Sequence, residues 1–248
     1  MPKPYGQWEF MHPDELEEII KVSPIAFVPI GTFEHHGWHL PVCFDGIKVH
    51  TICLRTAEKT GGVVLPTFFY GTGGGHLGYK WTIILPEEQI RPILSTTLDH
   101  LANFGFNVIV LITGHYPAEQ VTMVHQLAVE AAQRHPGARF IGLTEPEITT
   151  PLPGDIYAGD HAATYETSLG MSLDPTWVRM DYLSGGRDPA RVTLPGTPIG
   201  AESIINPTHP LYAIYGKDPR GTASKAIGDN LVNEIINRLA GLVEKSNL

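Results

Sequence analysis

Hydrophobic runs alternate with amphipathic stretches along this chain. The stretch 107–113 is almost continuously apolar, which is typical of a central parallel strand that is covered on both faces. A shorter run at residues 26–30 predicts a second buried strand, and runs at 63–65 and 140–143 predict two more. The pattern therefore predicts an α/β protein in which helices cover a mostly parallel sheet.

Several stretches carry apolar residues at helical spacing together with signals for helix ends. The predicted helices span residues 14–20, 47–59, 86–103, 117–134 and 222–244. In the second of these helices, Ile47, Leu54 and Ala57 are predicted to form the apolar side. The proline-rich stretch 188–216 is predicted to be a lid or an oligomer arm.

Polar side chains that suit a metal ion follow the two most hydrophobic strands. The stretch after the first strand supplies Glu34, His36 and Asp45, and the second strand is followed by His115. Carboxylates and imidazoles are the ligands that Zn, Mn or Fe takes at neutral pH. Open α/β sheets build their sites at the carboxyl ends of their strands, so we expect these residues to meet there. The spacing Glu-x-His followed by Asp suits two metals with a bridging Asp better than one metal.

A third polar group lies where a later helix is predicted to begin. His161 and Glu166 are five residues apart, and Glu166 would supply another carboxylate ligand while His161 is placed for acid–base work. The alternative is an ordinary helix start that is capped by Asp160. His76, in the glycine-rich loop 70–78, would either touch substrate or have a structural role. Cys43 would be either a ligand or a small buried hydrophobic residue.

Composition narrows the class of protein. The 248 residues suit one domain over residues 1–248, and a formal net charge of −9 argues against nucleic acid or an anionic membrane as a partner. Two cysteines do not make a disulfide framework. The first residues are too polar for a signal peptide, and no apolar run approaches the roughly 20 residues that span a bilayer. We therefore expect a cytoplasmic protein.

Four segments, in the same order, resemble the creatininase (creatinine amidohydrolase) family. GTFEHHGWHLPVCFD at 31–45 is similar to the family's G-S-T-E-Q-H-G-P-H-L-P followed by D. TGHY at 113–116 resembles N-G-H-Y or N-G-H-G, and DHAATYETS at 160–168 resembles H-A-G-x-x-E-T-S. GKDPRGTASK at 216–225 is similar to G-D-P-x-x-A-T-A-E-K.

The resemblance implies a three-layer α/β/α sandwich, a homo-oligomer that is commonly a hexamer, and a small-molecule substrate. It implies two divalent metals per chain, zinc, manganese or iron, with Asp45 as the bridge; the implied ligands are Glu34, His36, Asp45, His115 and Glu166. A metal-bound hydroxide would attack a carbonyl, and His161 would transfer a proton to the leaving group. The residues expected to shape the substrate pocket are Trp38, His76, Trp81 and Tyr116.

The chain departs from the family pattern at several positions. Pro117 stands where creatininase has a Glu that helps to hold one metal, so Glu119 or water would have to compensate. Thr113 replaces an Asn, and residues 79–82, Tyr-Lys-Trp-Thr, replace Phe-Pro-Gly-Thr. These changes predict a substrate other than creatinine.

Three functions stay open at this point. The first is a metal-dependent hydrolase that opens a small cyclic amide or removes an acyl group from nitrogen. The second hydrolyses a carbon–carbon bond of a cyclic keto-polyol such as a keto-inositol, for which Thr72, Tyr79 and Lys80 are suitable neighbours. The third is a metal-binding relative whose activity has decayed.

Overall fold

The computed structural model describes residues 3–152, 154, 156–185, 205–206 and 208–245. Its centre is a parallel five-stranded sheet with the strand order β1-β3-β2-β4-β5. The strands are β1 (Tyr5–Gln7), β2 (Ile25–Ile30), β3 (Gly62–Val64), β4 (Val108–Thr113) and β5 (Arg139–Thr144). The three-residue edge strand β1 was not predicted, because it is too short to show a hydrophobic pattern.

Helices cover both faces of the sheet. They are α1 (Pro13–Val22), α2 (Phe44–Thr60), α3 (Glu87–Phe104), α4 (Ala118–Arg134), α5 (Thr164–Leu173) and α6 (Lys225–Glu244). Side chains of α1, α3 and α4 pack into one core, and those of α2, α5 and α6 pack into the other. This arrangement confirms the predicted three-layer α/β/α fold. Within the described residues, no helix combines the length and the apolar character needed to cross a membrane.

The two central strands owe their continuous hydrophobicity to these two cores. Along β2, Ile25 and Phe27 belong to the core with α2, α5 and α6, whereas Ala26 and Val28 belong to the core with α1, α3 and α4. Successive side chains of a strand point to opposite faces, so a strand covered twice must be apolar at every position. β2 and β4 are therefore fixed at the centre of the sheet.

Some predicted boundaries were wrong. Helix α2 begins at Phe44 rather than Ile47, so Asp45 lies in its first turn. Ala57 is fully buried as predicted, whereas Ile47 and Leu54 are only partly buried. Lys48 and Ile52 complete the inner face of α2. Of the predicted lid or arm at 188–216, residues 188–204 and 207 lie outside the described residues.

Candidate metal centre

The polar side chains that were predicted to bind metal lie at the point where the strand order of the sheet reverses. After β2 the chain moves to β3 on one side, and it later returns to β4 on the other side of β2. β2 and β4 are in register, with Ile30 opposite Thr113. In open α/β sheets the crevice at such a switch point is the usual ligand site. The loop after β2 and His115 after β4 therefore meet at one edge of the sheet.

Two glycines allow the start of α2 to enter this crevice. A Cβ on Gly114 would lie 2.3 Å from the carbonyl oxygen of Asp45, and a Cβ on Gly31 would lie 2.3 Å from the amide nitrogen of Gly46. Real side chains do not tolerate such distances, so only glycine fits at either position. This close approach brings Asp45 between the ends of β2 and β4.

Two triads of metal-ligating side chains share Asp45. The first triad is Glu34, Asp45 and His115, and the second triad is His36, Asp45 and Glu166; within each triad the ligand atoms lie within 4.8 Å of one another. Oδ1 of Asp45 is 2.9 Å from Nε2 of His36, and Oδ2 is 3.3 Å from Nδ1 of His115. One carboxylate thus presents one oxygen to each triad. All five side chains are buried.

The ring of His36 has a defined orientation. Its Nδ1 lies 2.9 Å from the carbonyl oxygen of Glu34, which can only accept, so Nδ1 carries the hydrogen. Nε2 then faces two carboxylates, at 2.9 Å from Asp45 and 3.6 Å from Glu166. A neutral ring would place its lone pair against those oxygens, so this position calls for a cation: a proton or a metal ion.

The pKa shifts of the residues in the two triads agree with this geometry. Burial lowers the pKa of His36, but Asp45 and Glu166 more than offset it and raise that pKa to about 9. Burial likewise opposes a charged His115, yet Glu34 and Asp45 raise its pKa to about 10. Burial raises the pKa of Asp45, and the neighbouring imidazoles outweigh it, so the pKa falls below its usual range. The pocket therefore stabilises positive charge between its carboxylates.

His161 lies beside both triads and differs from the other imidazoles. Its Nε2 donates to the carbonyl oxygen of His35 at 2.8 Å, which leaves Nδ1 as the acceptor, 3.9 Å from Oε2 of Glu34. The ring is 4.3 Å from that of His36 and 4.2 Å from that of His76, centre to centre. Burial and the neighbouring His76 hold the pKa of His161 well below its usual range. Nδ1 of His161 is thus a proton acceptor beside the cluster.

Two of the predicted substrate-binding residues line a cavity that opens from the cluster. The cavity has a volume of about 940 Å³ and extends past the start of α4 to Tyr157 and Tyr215. His76 lines it and also hydrogen-bonds through Nδ1 to Oε1 of Glu34. The ring of Tyr116 lines it too, but its hydroxyl donates to Glu145 at 2.6 Å. His76 thus has a structural partner in Glu34 and also borders the cavity, and its contact with substrate stays a prediction.

The two predicted tryptophans lie elsewhere. Neither Trp38 nor Trp81 is among the described residues that line this cavity. Trp38 packs against His35 and Tyr212. Trp81 has a left-handed backbone with φ of 74° and leaves 63% of its surface exposed. The structure therefore does not bring these tryptophans to the cleft: Trp38 is packed among other aromatic rings, and Trp81 lies at the surface.

Sequence reasoning missed a buried ion pair beneath the second triad. Nζ of Lys48 lies 2.9 Å from Glu145 and 2.5 Å from Glu166, and Lys48 and Glu145 are fully buried. A signal was present, since Lys48 follows Asp45 by three residues and precedes Ile52 by four, which places all three on one helical face. Glu145 directly follows β5, so the strand-end argument used for His115 also applied to it.

Other candidates have simpler roles. Among the described residues, no potential metal-ligating triad includes Cys43 or Glu119. Asp160 accepts hydrogen bonds from the backbone amides of Tyr165 at 2.7 Å and Glu166 at 3.2 Å. The predicted capping by Asp160 therefore coexists with a place for Glu166 in the cluster.

A family model described as creatinine amidohydrolase matches residues 9–243. The chain belongs to the creatininase family. The creatinine amidohydrolase of Pseudomonas putida is 26% identical over 208 residues, which cover 70% of this chain and 78% of that protein. The mycofactocin precursor peptide peptidase of Mycolicibacterium smegmatis is 26% identical over 235 residues, 92% of this chain and 87% of that protein. The family resemblance drawn from four segments is thereby confirmed.

Solved creatininases share this fold. A structure titled as the manganese form of creatininase has a TM-score of 0.74 at 20% identity and covers 96% of this chain and 97% of its own. A creatininase variant described as the Zn-Zn type has a TM-score of 0.76 at 21% identity with the same coverage of both chains. At such identities the likeness establishes the creatininase fold alone.

Proposed function

We propose that this creatininase-family protein is a metal-dependent hydrolase that holds two divalent cations, one in each triad, with Asp45 as the shared ligand. The observation that carries the proposal is the division of the Asp45 carboxylate, whose oxygens face His36 at 2.9 Å and His115 at 3.3 Å. A carboxylate that bridges two cations needs this arrangement. Glu34 completes the first triad, and Glu166 completes the second.

The donor set suits such cations. Oδ2 of Asp45 is buried without a hydrogen bond from any described residue, so Asp45 has an oxygen to offer to a cation. Nε2 of His115 is likewise buried without such a bond. Mixed nitrogen and oxygen donors are acceptable to zinc, manganese and iron. The manganese and zinc forms named for solved creatininases favour zinc or manganese for this chain as well.

The chain's own groups are arranged for hydrolysis. Divalent cations at such a site lower the pKa of a water molecule and polarise a carbonyl oxygen. His161 would receive a proton at Nδ1 and pass it to the leaving nitrogen, while its Nε2 stays fixed on the carbonyl of His35. His76 would hold Glu34 in place and border the substrate.

The substrate class that fits best is an open-chain amide, either an N-acyl compound or a peptide. Both named relatives are enzymes of amides: one an amidohydrolase, the other a peptidase. A cavity of about 940 Å³ is in the upper part of the range of roughly 300–1,000 Å³ that holds drug-sized ligands. This size favours the N-acyl or peptide alternative over a small cyclic amide. No observation favours the carbon–carbon hydrolase or the decayed relative.

The test is the metal content of protein purified without a chelator, followed by removal and reloading. We expect about two zinc or manganese ions per chain, and activity that is lost with a chelator and restored by either metal. The substrate panel is cyclic amides, N-acyl amino acids, short peptides and keto-inositols. Metal-independent turnover of any of them would overturn the proposal, and turnover of keto-inositols alone would replace its substrate class.

We also propose that the protein forms a homo-oligomer, a hexamer by its family resemblance. Large apolar side chains are exposed on the loop that follows β3: Tyr70, Leu77, Trp81 and Ile83. Four exposed large apolar side chains on one loop are more typical of an interface than of a monomer's surface. Sedimentation velocity of the purified protein tests this, and a monomer at micromolar concentration would contradict it.

A further inference from the structure

The described lining of the cavity holds one carboxylate that neither the triads nor a helix cap uses. Three of its carboxylates belong to the two triads: those of Glu34, Asp45 and Glu166. A fourth, that of Asp160, accepts hydrogen bonds from backbone amides in the first turn of α5. The fifth is Glu119, and no lysine or arginine is among the described residues that line the cavity. The charge of Glu119 therefore has no counterpart in the cavity.

The carboxylate of Glu119 is available to a ligand. It lies in the first turn of α4 and is exposed. No described residue pairs with this carboxylate as an ion or donates a hydrogen bond to it. A Cβ on Gly73 would lie 2.6 Å from Oε2 of Glu119, so the glycine leaves the space that this side chain occupies. That contact places the carboxylate beside the loop that carries His76, while its oxygens stay open to the cavity.

Two tyrosines with exposed rings border the same cavity. Tyr157 leaves 60% of its surface exposed and Tyr215 leaves 40%. The backbone amide of His161 donates to the carbonyl oxygen of Tyr215 at 2.8 Å, and the amide of Tyr215 donates to the carbonyl oxygen of His161 at 3.0 Å. Tyr215 is thus fixed to the segment that carries the proposed proton acceptor. The face of an aromatic ring attracts ammonium and guanidinium groups.

This combination of side chains favours a cationic ligand over an anionic or a neutral one. An anionic group would be repelled by Glu119, and no basic side chain in the described lining would offset that repulsion. A neutral apolar group would gain from the tyrosine rings but not from the carboxylate. An ammonium or a guanidinium group gains from both.

Glu119 also has a structural explanation that must be separated from this one. An acidic residue in the first turn stabilises a helix through the helix dipole. Glu88 has the same place in α3, is exposed, and is not among the described residues that line the cavity. The helix contribution can therefore be removed at Glu88 without a change in the cavity.

From these observations we propose that Glu119, Tyr157 and Tyr215 form a subsite for a positively charged group of the substrate, an ammonium or a guanidinium. The substrate class narrows to an open-chain amide that carries such a group away from the bond that is hydrolysed. Glu119 determines specificity and takes no part in the chemical step. This inference rests on the proposed function, because the substrate must reach the metal centre and the subsite together.

The test uses hydroxamic acids, which chelate divalent metal ions through their two oxygens. Their arms, of increasing length, end in an amino, a hydroxyl or a carboxyl group. Calorimetry with metal-loaded, full-length protein measures the affinity of each compound. At one arm length or more, we expect the amino arm to bind about 3- to 30-fold more tightly than the hydroxyl arm, and the carboxyl arm to bind most weakly. The preference should shrink at high salt, because salt screens exposed charges.

Glu119→Gln isolates the contribution of the carboxylate at nearly constant size. We expect its preference for the amino arm to fall by about two- to fivefold, while its affinity for the hydroxyl arm stays within about twofold of the wild type. The matched control is Glu88→Gln, which loses the same helix contribution. It should keep the wild-type preference at every arm length.

Each possible outcome supports or overturns the subsite. Equal affinities of the amino and hydroxyl arms at every length overturn it, and so does a preference that Glu119→Gln retains in full. If all arms bind Glu119→Gln more weakly by the same factor and its metal content falls, Glu119 is a metal ligand and the subsite is wrong. If no hydroxamic acid binds the metal-loaded wild type, the proposed function itself is overturned, and the subsite with it.

Discussion

Nε2 of His36 lies 2.9 Å from Oδ1 of Asp45, and both side chains are buried. The two residues are nine positions apart: His36 lies in the loop after β2, and Asp45 lies in the first turn of α2. Because Nδ1 of His36 is committed to the carbonyl of Glu34, Nε2 and the carboxylate can be joined only by a cation. The predictions below follow from this contact and its neighbours.

Asp45→Asn should remove the carboxylate that both triads share, while the side chain keeps nearly the same size and shape. An amide is neutral and offers one oxygen instead of two, so we expect at most one metal per chain and loss of hydrolysis. Elemental analysis of the purified variant, with an activity assay, measures both. Asp99→Asn is the matched control, because Asp99 makes a partly exposed surface pair with Arg134. Two metals in Asp45→Asn would show that Asp45 does not bridge.

Metal binding should strengthen as the pH rises. In the metal-free protein the pKa of His36 is about 9 and that of His115 about 10, both above the ordinary value. Below those pH values each ring holds a proton that a cation must displace, so affinity falls as pH falls. We expect release of about two protons per chain at neutral pH, measured by calorimetry in buffers of different ionisation enthalpy. An affinity that is independent of pH below about 9 would contradict this.

His161→Asn should separate proton transfer from metal binding. The amide occupies much of the space of the ring but cannot act as a base, so we expect the turnover number to fall by about 10²- to 10⁴-fold. Metal content should stay at the wild-type level. His125→Asn, at an exposed histidine paired with Glu147, is the control and should keep full activity. Loss of one metal from His161→Asn would instead make His161 a ligand.

Gly114→Ala should displace the backbone that carries Asp45 and so disturb the proposed metal centre. The added Cβ would meet the carbonyl oxygen of Asp45 at 2.3 Å, so α2 must move away from β4. We expect a loss of about 1–3 kcal/mol in the free energy of unfolding, together with weaker metal binding. Gly241→Ala is the control, because a Cβ there meets nothing within 4 Å. That helical position should gain about 0.5–1 kcal/mol on substitution, measured like Gly114→Ala by denaturant unfolding.

Much of the fold could be predicted from local patterns. The doubly covered strands β2 and β4 appear in the sequence as apolar runs, and the helix boundaries were mostly within a few residues. The start of α2 was misplaced because Asp45 and Gly46 resemble a loop, whereas the close approach of Gly31 and Gly114 makes a helix possible there. That approach joins residues far apart in the chain, so no local pattern reports it.

The sequence by itself determined the layered fold, the family, and the residue types that gather at the strand ends, because periodicity and motif spacing are local properties. The sequence also predicted Asp45 as the shared residue, and the tertiary structure supplied the distances at which its oxygens face His36 and His115. The tertiary structure alone decided that Lys48 contacts both Glu145 and Glu166. It also placed Trp81 at the surface rather than in the cleft. The physical reason is that charge pairing and burial depend on distances between segments, which spacing along a chain does not specify.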